Sequence, residues 1–358
     1  MKAETLDIKE YVPLKDFTTF GIGGPARYLA VVESEEQFME AVAFAKTCKV
    51  PLFILGGGSN ILMSDQGFPG LVILSRIKGV RSREEGAHML VSAGAGEDWD
   101  TFVKECTVRD WQGLECLSGV PGTVGAVPVQ NIGAYGQSVE ASIHEVRAID
   151  MRKGGTTNLA NRDCGFAYRS SIFNTQHAGE YAITGVTFKL SPGGVPALTY
   201  HDLKNCFSGD SPATPAKVRE AVLGIRDRKG LLILDGHESF KSAGSFFKNP
   251  VLSAGQFEKV QGLIREGDCA NWAWPMASGE VKVSAACLIQ CAGFPRGYRQ
   301  GDAGISPRHS LVLINHRNAT ADEIVALARR IQDEVKGKFG VTLKPEVQLV
   351  GFPRDLPL

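Results

Sequence analysis

Residues 116–139 carry no charged side chain, a run long enough to cross a bilayer as a helix. The same run holds Pro121, Pro128, Gln130 and Asn131, with glycines at 119, 122, 125, 133 and 136. In lipid, every backbone N–H and C=O of a span must find a partner within it, and this sequence interrupts a helix too often for that. The stretch is therefore a loop that is buried in protein or covers a ligand. The rest of the chain has to fold into a body that holds it.

Glycine is abundant elsewhere too, at 41 of 358 residues, above the usual share of about 7%. Glycine-rich turns that approach a ligand closely are the first expectation. The 39 basic and 39 acidic residues cancel. The molecule thus lacks the positive field that nucleic acid or an anionic membrane would need, and an anionic ligand must be met by local cations or backbone amides. The length suggests two or three domains. Residues 1–12 mix acidic, basic and apolar side chains and show no leader pattern. The eight cysteines are scattered, and the close pair Cys287 and Cys291 has helical rather than C-x-x-C spacing. Buried, reduced thiols in a cytoplasmic protein are expected. The seven histidines show no ligand spacing, so no metal site is expected.

The first third alternates helix and strand. Ser34 and Gln37 form a capping box that opens a helix through Phe38, Val42 and Phe44. Residues 51–55 and 71–74 read as buried strands, separated by Gly56, Gly57, Gly58, Ser59 and Asn60. A dinucleotide fingerprint would need a long helix after those glycines, and only a short apolar piece follows, so a Rossmann site is rejected. Residues 143–151 and 181–190 read as strands of an antiparallel-rich second region, with Ala182, Thr184, Val186, Phe188 and Leu190 on one face. Thr214-Pro215 starts a helix on Val218, Val222 and Ile225 that ends in Arg226, Arg228 and Lys229. Residues 231–241 read as a linker into a third region. This region has a helix near 256–264, a Trp-rich segment, and a helix opened by Thr320 and Glu323 and closed at Gly337 or Gly340. The end from Pro353 reads as frayed.

Candidate chemistry lies in five places. The glycine segments 56–60 and 119–136 can each present clustered N–H groups to a diphosphate. Ser245 sits between Gly244 and two phenylalanines, with Lys248 and Asn249 just beyond, where a hydroxyl could protonate a developing carbanion. Glu346 follows Pro345 in a strand-like end, 343–350, and Arg169 follows Tyr168. Taken alone, each has an ordinary reading as a tight turn, a turn serine or a surface charge.

In order along the chain, the segments 19–24 (TFGIGG), 55–60 (LGGGSN), 118–125 (SGVPGTVG), 130–136 (QNIGAYG), 168–169 (YR), 243–250 (AGSFFKNP) and 344–346 (KPE) resemble one family. These are the flavin-dependent UDP-N-acetylenolpyruvoylglucosamine reductases, or UDP-N-acetylmuramate dehydrogenases, of bacterial cell-wall synthesis. The resemblance implies an α+β chain with an FAD-binding fold of the vanillyl-alcohol-oxidase type and a smaller α/β substrate-binding domain. Its boundaries would be 1–78 with 341–358, 79–230, and 231–340. It also implies a cytoplasmic monomer with no nucleic-acid or membrane partner and with FAD held without a covalent tether. NADPH would reduce the flavin and leave, and the enolpyruvyl ether of UDP-N-acetylglucosamine would then enter the same cleft.

Hydride delivered to the vinyl methylene leaves negative charge on the adjacent carbon and its carboxylate. The resemblance makes Ser245 the proton donor and places Arg169 and Glu346 around that carboxylate. Gly56, Gly57, Gly58, Ser59, Asn60, Pro121, Gly122, Thr123, Gly125, Gln130, Asn131 and Gly133 match cofactor contacts, and Arg226 matches a residue near the flavin. Lys229, Asn249 and Lys282 match nucleotide-sugar contacts. Tyr200 matches a tyrosine whose loop folds over the substrate, marking the subtype that has this loop. The chain departs from the pattern at Trp274, where the family often has tyrosine, so stacking replaces a hydroxyl contact there. It also departs at Ser242, Gln290, Cys291 and Arg296. Two other readings are an oxygen-using flavoprotein oxidase of the same fold, which leaves Ser245, Arg169 and Glu346 without a joint task, and a non-enzymatic sensor, which needs no proton donor.

Overall fold

The computed structural model describes residues 6–207, 213–234, 236, 240–265, 269, 271–353, 356 and 358. Parts of the expected linker (Asp235 and 237–239) and of the expected frayed end (Arg354, Asp355 and Pro357) lie outside the described residues. The chain forms two compact units. The first takes 1–12, 26–57 and 69–227, and the second takes 13–25, 58–68 and 228–358.

In the first unit, strands Ile8–Pro13, Pro25–Val32, Phe68–Ser75 and Leu52–Leu55 form a sheet in that order. Helix Glu35–Cys48 buries Phe38, Ala41, Val42 and Ala45 in a core with Ala30, Val32, Leu71 and Ile73. The Ser34 side chain accepts from the Gln37 N–H at 3.2 Å, as a cap should. The Gln37 side chain, however, reaches the N–H of Glu33 at 2.8 Å, so the reciprocal half of the box is displaced by one residue.

A second, antiparallel sheet runs Thr156–Ala160, Ile143–Asp150, Tyr181–Pro192, His88–Gly94, Val80–Glu85. The alternation read in 182–190 is realised, with all five named residues buried. Helix Trp99–Val108 buries Trp99 and Phe102 against Phe188, with ring centroids 5.1–6.0 Å apart. Arg147 donates two bonds of 2.7 Å to Glu35, tying the first helix to the second sheet. Those bonds hold the Glu35 carboxyl below its ordinary range.

The uncharged stretch is a loop, as its glycines and prolines require. It is built of 3-10 turns and two-residue strands, and only Ala126 and Gly136 within it are exposed. Main-chain bonds from Val124 to Glu97 and from Gly125 to Ala95, both 2.9 Å, and from the Trp99 indole to Leu117 at 3.1 Å, satisfy its buried backbone. Among the described residues no helix is long and apolar enough to cross a membrane.

The second unit carries a sheet ordered Ser242–Ser245, Val312–Asn315, Ala303–Ile305, Arg299–Gln300, and a smaller one of Val251–Leu252, Val281–Val283 and Ala273–Pro275. Helix Ala321–Phe339 packs Ile324, Leu327, Ile331 and Val335 into a core with Ile305, Leu313 and Phe246. Its Thr320/Glu323 capping box closes on both sides, at 2.8 and 3.2 Å, and Gly340 ends it at φ 66°. Truncating Leu327 to alanine there costs about 2–5 kcal/mol. The helix expected near 256–264 is Ala254–Gln261. Strand Gln348–Val350 pairs in parallel with Ile61–Met63, so Glu346 precedes the strand rather than lying in it.

The cysteines require a correction. Cys106, Cys116 and Cys164 are buried thiols whose pKa burial pushes up to about 12, inert as expected. Cys269 and Cys287, though, form a disulfide, with Cα atoms 5.9 Å apart. The paired strands Ala273–Pro275 and Val281–Val283 lie between these two cysteines and turn the chain back on itself, a proximity that linear spacing does not report.

Candidate active site

In the first unit Gly56 and Gly57, which open the first glycine segment, lie against the second segment. A Cβ on Gly57 would stand 2.7 Å from Gly122 Cα, one on Gly56 2.9 Å from Thr123 Oγ1, and one on Gly125 2.6 Å from Ala95 Cβ. The obstacle to a side chain in this seam is backbone at Gly57 and a neighbouring side chain at Gly56 and Gly125. Among the described hydrogen bonds, none is donated by the backbone N–H of Gly56, Gly57 or Gly58, which leaves those donors for a ligand.

Behind the seam, Asp100 Oδ1 accepts from the Gly119 N–H at 2.5 Å, while Arg219 grips both Asp100 oxygens at 2.6 and 2.7 Å. Burial would raise the Asp100 pKa, but the Arg219 guanidinium and the Gly119 N–H outweigh it and hold the carboxyl below its usual value. Arg226 is buried nearby. Burial weakens its hold on the proton, while Tyr135 and Asp100 act in the opposite direction. Sequence reading missed Asp100, Arg219 and Tyr135, because a contact spanning 119 residues leaves no local signal.

Arg169 donates to the Gly133 carbonyl at 2.8 Å. Asn131 donates to Glu140 at 2.7 Å and to the Ala167 carbonyl at 2.9 Å, clasping the second glycine segment to the turn that carries Arg169. Asn131, Tyr135 and Arg169 all have φ between 45° and 54°, a conformation that costs L residues energy and collects at functional sites. Tyr200 stands edge-on to Tyr135, ring centroids 5.4 Å apart, and is itself partly exposed.

In the second unit three separate motifs converge. Ser245 ends its strand opposite Val312. The next residue, Phe246, accepts from the Glu346 N–H at 2.8 Å, and the Glu346 carbonyl accepts from Asn60 Nδ2 at 3.2 Å. Gln348 then donates to the Asn60 carbonyl at 3.0 Å. Thr19 joins the same knot, donating from its N–H to the Gly58 carbonyl at 3.1 Å and from its hydroxyl to the Ser242 carbonyl at 2.5 Å. Position 58 requires glycine, since its φ is 62° and an added Cβ would strike the Phe17 carbonyl. Ser245 and Glu346 are both half-buried and stand one residue apart across this backbone pairing.

Elsewhere in the unit the Lys282 ammonium lies 5.7 Å from the centroid of the Trp274 ring, itself 37% exposed. Asn249 uses its Oδ1 to accept from the Ala285 N–H at 3.0 Å, anchoring the start of helix Ala285–Cys291. Half-buried His309 accepts at Nδ1 from the Leu311 N–H at 3.1 Å. Burial, then the neighbouring charges of Lys229 and Arg296, lowers its pKa to about 4. Arg169 and Tyr200 belong to the first unit, Ser245 and Glu346 to the second.

A model of the FAD binding domain matches residues 26–160, and one of the UDP-N-acetylenolpyruvoylglucosamine reductase C-terminal domain matches 236–350. The UDP-N-acetylenolpyruvoylglucosamine reductase of Thermobifida fusca is 38% identical over 97% of this chain and 99% of its own length. The chain belongs to the UDP-N-acetylenolpyruvoylglucosamine reductase family. The reductase of Chromobacterium violaceum is 40% identical over 96% of this chain and 98% of its own. The crystal structure of UDP-N-acetylenolpyruvylglucosamine reductase from Thermus caldophilus is similar with a TM-score of 0.64 and 26% identity, over 96% of this chain and 98% of that one. The region matching the FAD binding domain contains both glycine segments, and a backbone cradle that admits no Cβ, with unclaimed N–H donors and no charged side chain, fits such a cofactor. The region matching the C-terminal domain contains Ser245, Asn249, Trp274, Lys282 and Glu346.

Proposed function

We propose that the chain reduces the enolpyruvyl ether of UDP-N-acetylglucosamine enolpyruvate to UDP-N-acetylmuramate, with NADPH as the electron source. The observation that supports this best is the convergence of Asn60, Ser245 and Glu346 on one backbone knot, in a member of this reductase family. Bound FAD supplies the hydride. Ser245 Oγ gives its proton to the carbon next to the carboxylate and recovers one from solvent. Arg169 faces the carboxylate, where a preorganised cation stabilises charge as it develops, and Glu346 is held by its main chain beside Ser245. Lys229, Lys282 and Arg296 meet the anionic nucleotide, and Trp274 stacks on it. Tyr200 closes over the substrate, which makes the chain a member of the tyrosine-loop subtype. On this reading 1–78 with 341–358 and 79–230 hold the cofactor, 231–340 holds the sugar nucleotide, and the protein works as a cytoplasmic monomer.

The test is anaerobic stopped-flow absorbance. The flavoprotein is reduced with NADPH and mixed with UDP-N-acetylglucosamine enolpyruvate while the flavin band is followed. Rapid reoxidation with formation of UDP-N-acetylmuramate is expected. A protein that is yellow and reducible but stays reduced in the presence of this substrate defeats the substrate assignment.

A further inference from the structure

Cys287 and Cys291 are four residues apart on helix Ala285–Cys291, which puts both sulfurs on one face. Cys269 is brought to that face by the strand pair that follows it. The three Sγ atoms lie within 4.8 Å of one another, Cys269 and Cys291 being 4.0 Å apart, with Cys287 buried and the other two half-buried. Two of the three are joined as a disulfide.

A third sulfur beside a disulfide can do either of two things. As an attacking thiolate it must stand behind the bond, in line with it. In-line placement would set Cys291 about 6 Å from Cys287, one S–S bond of about 2 Å beyond its distance to Cys269. The actual separation is under 4.8 Å, so Cys291 flanks the bond instead. The three sulfurs form a compact triangle. Tetrahedral zinc holds thiolates at about 2.3 Å, which spaces neighbouring sulfurs by about 3.8 Å, and opening the disulfide to that spacing is a small adjustment of the triangle. Three thiolates on a divalent cation leave one negative charge, and Lys338 is at hand, its ammonium bonded to the Cys291 carbonyl.

We propose that Cys269, Cys287 and Cys291, when reduced, form a three-thiolate site for one zinc ion, with the fourth position left to water. The disulfide is the oxidised, metal-free form of the same site. Interconversion uses a low-molecular-weight thiol: two reductant thiols become their disulfide, and the sulfurs of Cys269 and Cys287 each gain an electron and a proton. Metal binding then releases the three thiol protons. Disulfides in cytoplasmic proteins are usually transient, whereas clustered cysteines there usually bind metal. The site does not depend on the proposed reaction.

The full chain, reduced with a phosphine and desalted anaerobically, is titrated with Co2+ and then Zn2+. One equivalent of Co2+ with thiolate-to-metal charge-transfer absorption is expected, displaced by Zn2+. Cys291→Ser should weaken binding about a hundredfold or more while the reduced, metal-free variant melts as the wild type does. Oxidised protein should take up none until reductant is added. As a second readout, zinc should protect all three cysteines from alkylation in the wild type, mapped by peptide mass. No uptake by the reduced protein, unchanged affinity in Cys291→Ser, or stoichiometric zinc on the oxidised protein would each overturn the proposal.

Discussion

In the first unit, Arg169, Tyr200 and Arg226 aside, the positions expected to meet a ligand are glycines and their neighbours, and what they offer is backbone. In the second they are Ser245, Lys229, Lys282, Trp274 and Glu346, and what they offer is side chains, those of Ser245 and Glu346 standing on a knot of main-chain bonds. The two fail differently. A backbone cradle is lost when any atom is added to it, and fold and ligand go together. A side-chain site can lose its chemistry while its scaffold stays intact.

The sharpest contrast comes from Ser245→Ala. We expect flavin content unchanged, stability within about 0.5 kcal/mol of wild type, and reoxidation of reduced flavin by substrate slowed about 10²–10⁴-fold in the stopped-flow assay. Loss of flavin in this variant would erase the distinction between the units. Gly57→Val should do the reverse. Its Cβ meets Gly122 backbone at 2.7 Å, where neither partner can rotate away. A loss of about 1–3 kcal/mol in urea unfolding, with flavin absorbance largely gone, is the expected result.

The most gradual effect is the pH response of His309. The unfolded imidazole takes its proton near 6.5, but the folded one resists until about 4. Stability is therefore full above pH 6.5 and falls as pH drops from 6.5 to 4, by up to about 1.4 kcal/mol per pH unit. His309→Asn should flatten that slope in urea midpoints measured across this window. A slope that persists would assign it to other groups.

The elements that were legible in the sequence are those whose causes are local. Helix Ala321–Phe339 has its box, apolar stripe and terminal glycine in one stretch, and strand Tyr181–Pro192 alternates from Thr184 to Leu190. The uncharged loop was legible because five glycines and two prolines within one run interrupt a helix too often for it to form. Contacts that close over long separations were not. Asn60 and Glu346 are 286 residues apart and Asp100 and Arg219 119 apart, and neither pair has a pattern that points to the other. Ser245, Arg169 and Glu346 were singled out by family resemblance, because a lone serine, arginine or glutamate carries no such message. The disulfide was missed because spacing was weighed only between near neighbours in sequence.

The parallel pairing of Ile61–Met63 with Gln348–Val350 has a consequence for biosynthesis. Ile61, Leu62 and Met63 are all buried, and among the described residues no other strand joins them in their sheet. While the chain is emerging from the ribosome, this apolar edge must wait for nearly three hundred further residues before its partner exists. Until then it is open to any passing strand. A chain interrupted before residue 348 would display that edge permanently, a signal that chaperones and proteases can read.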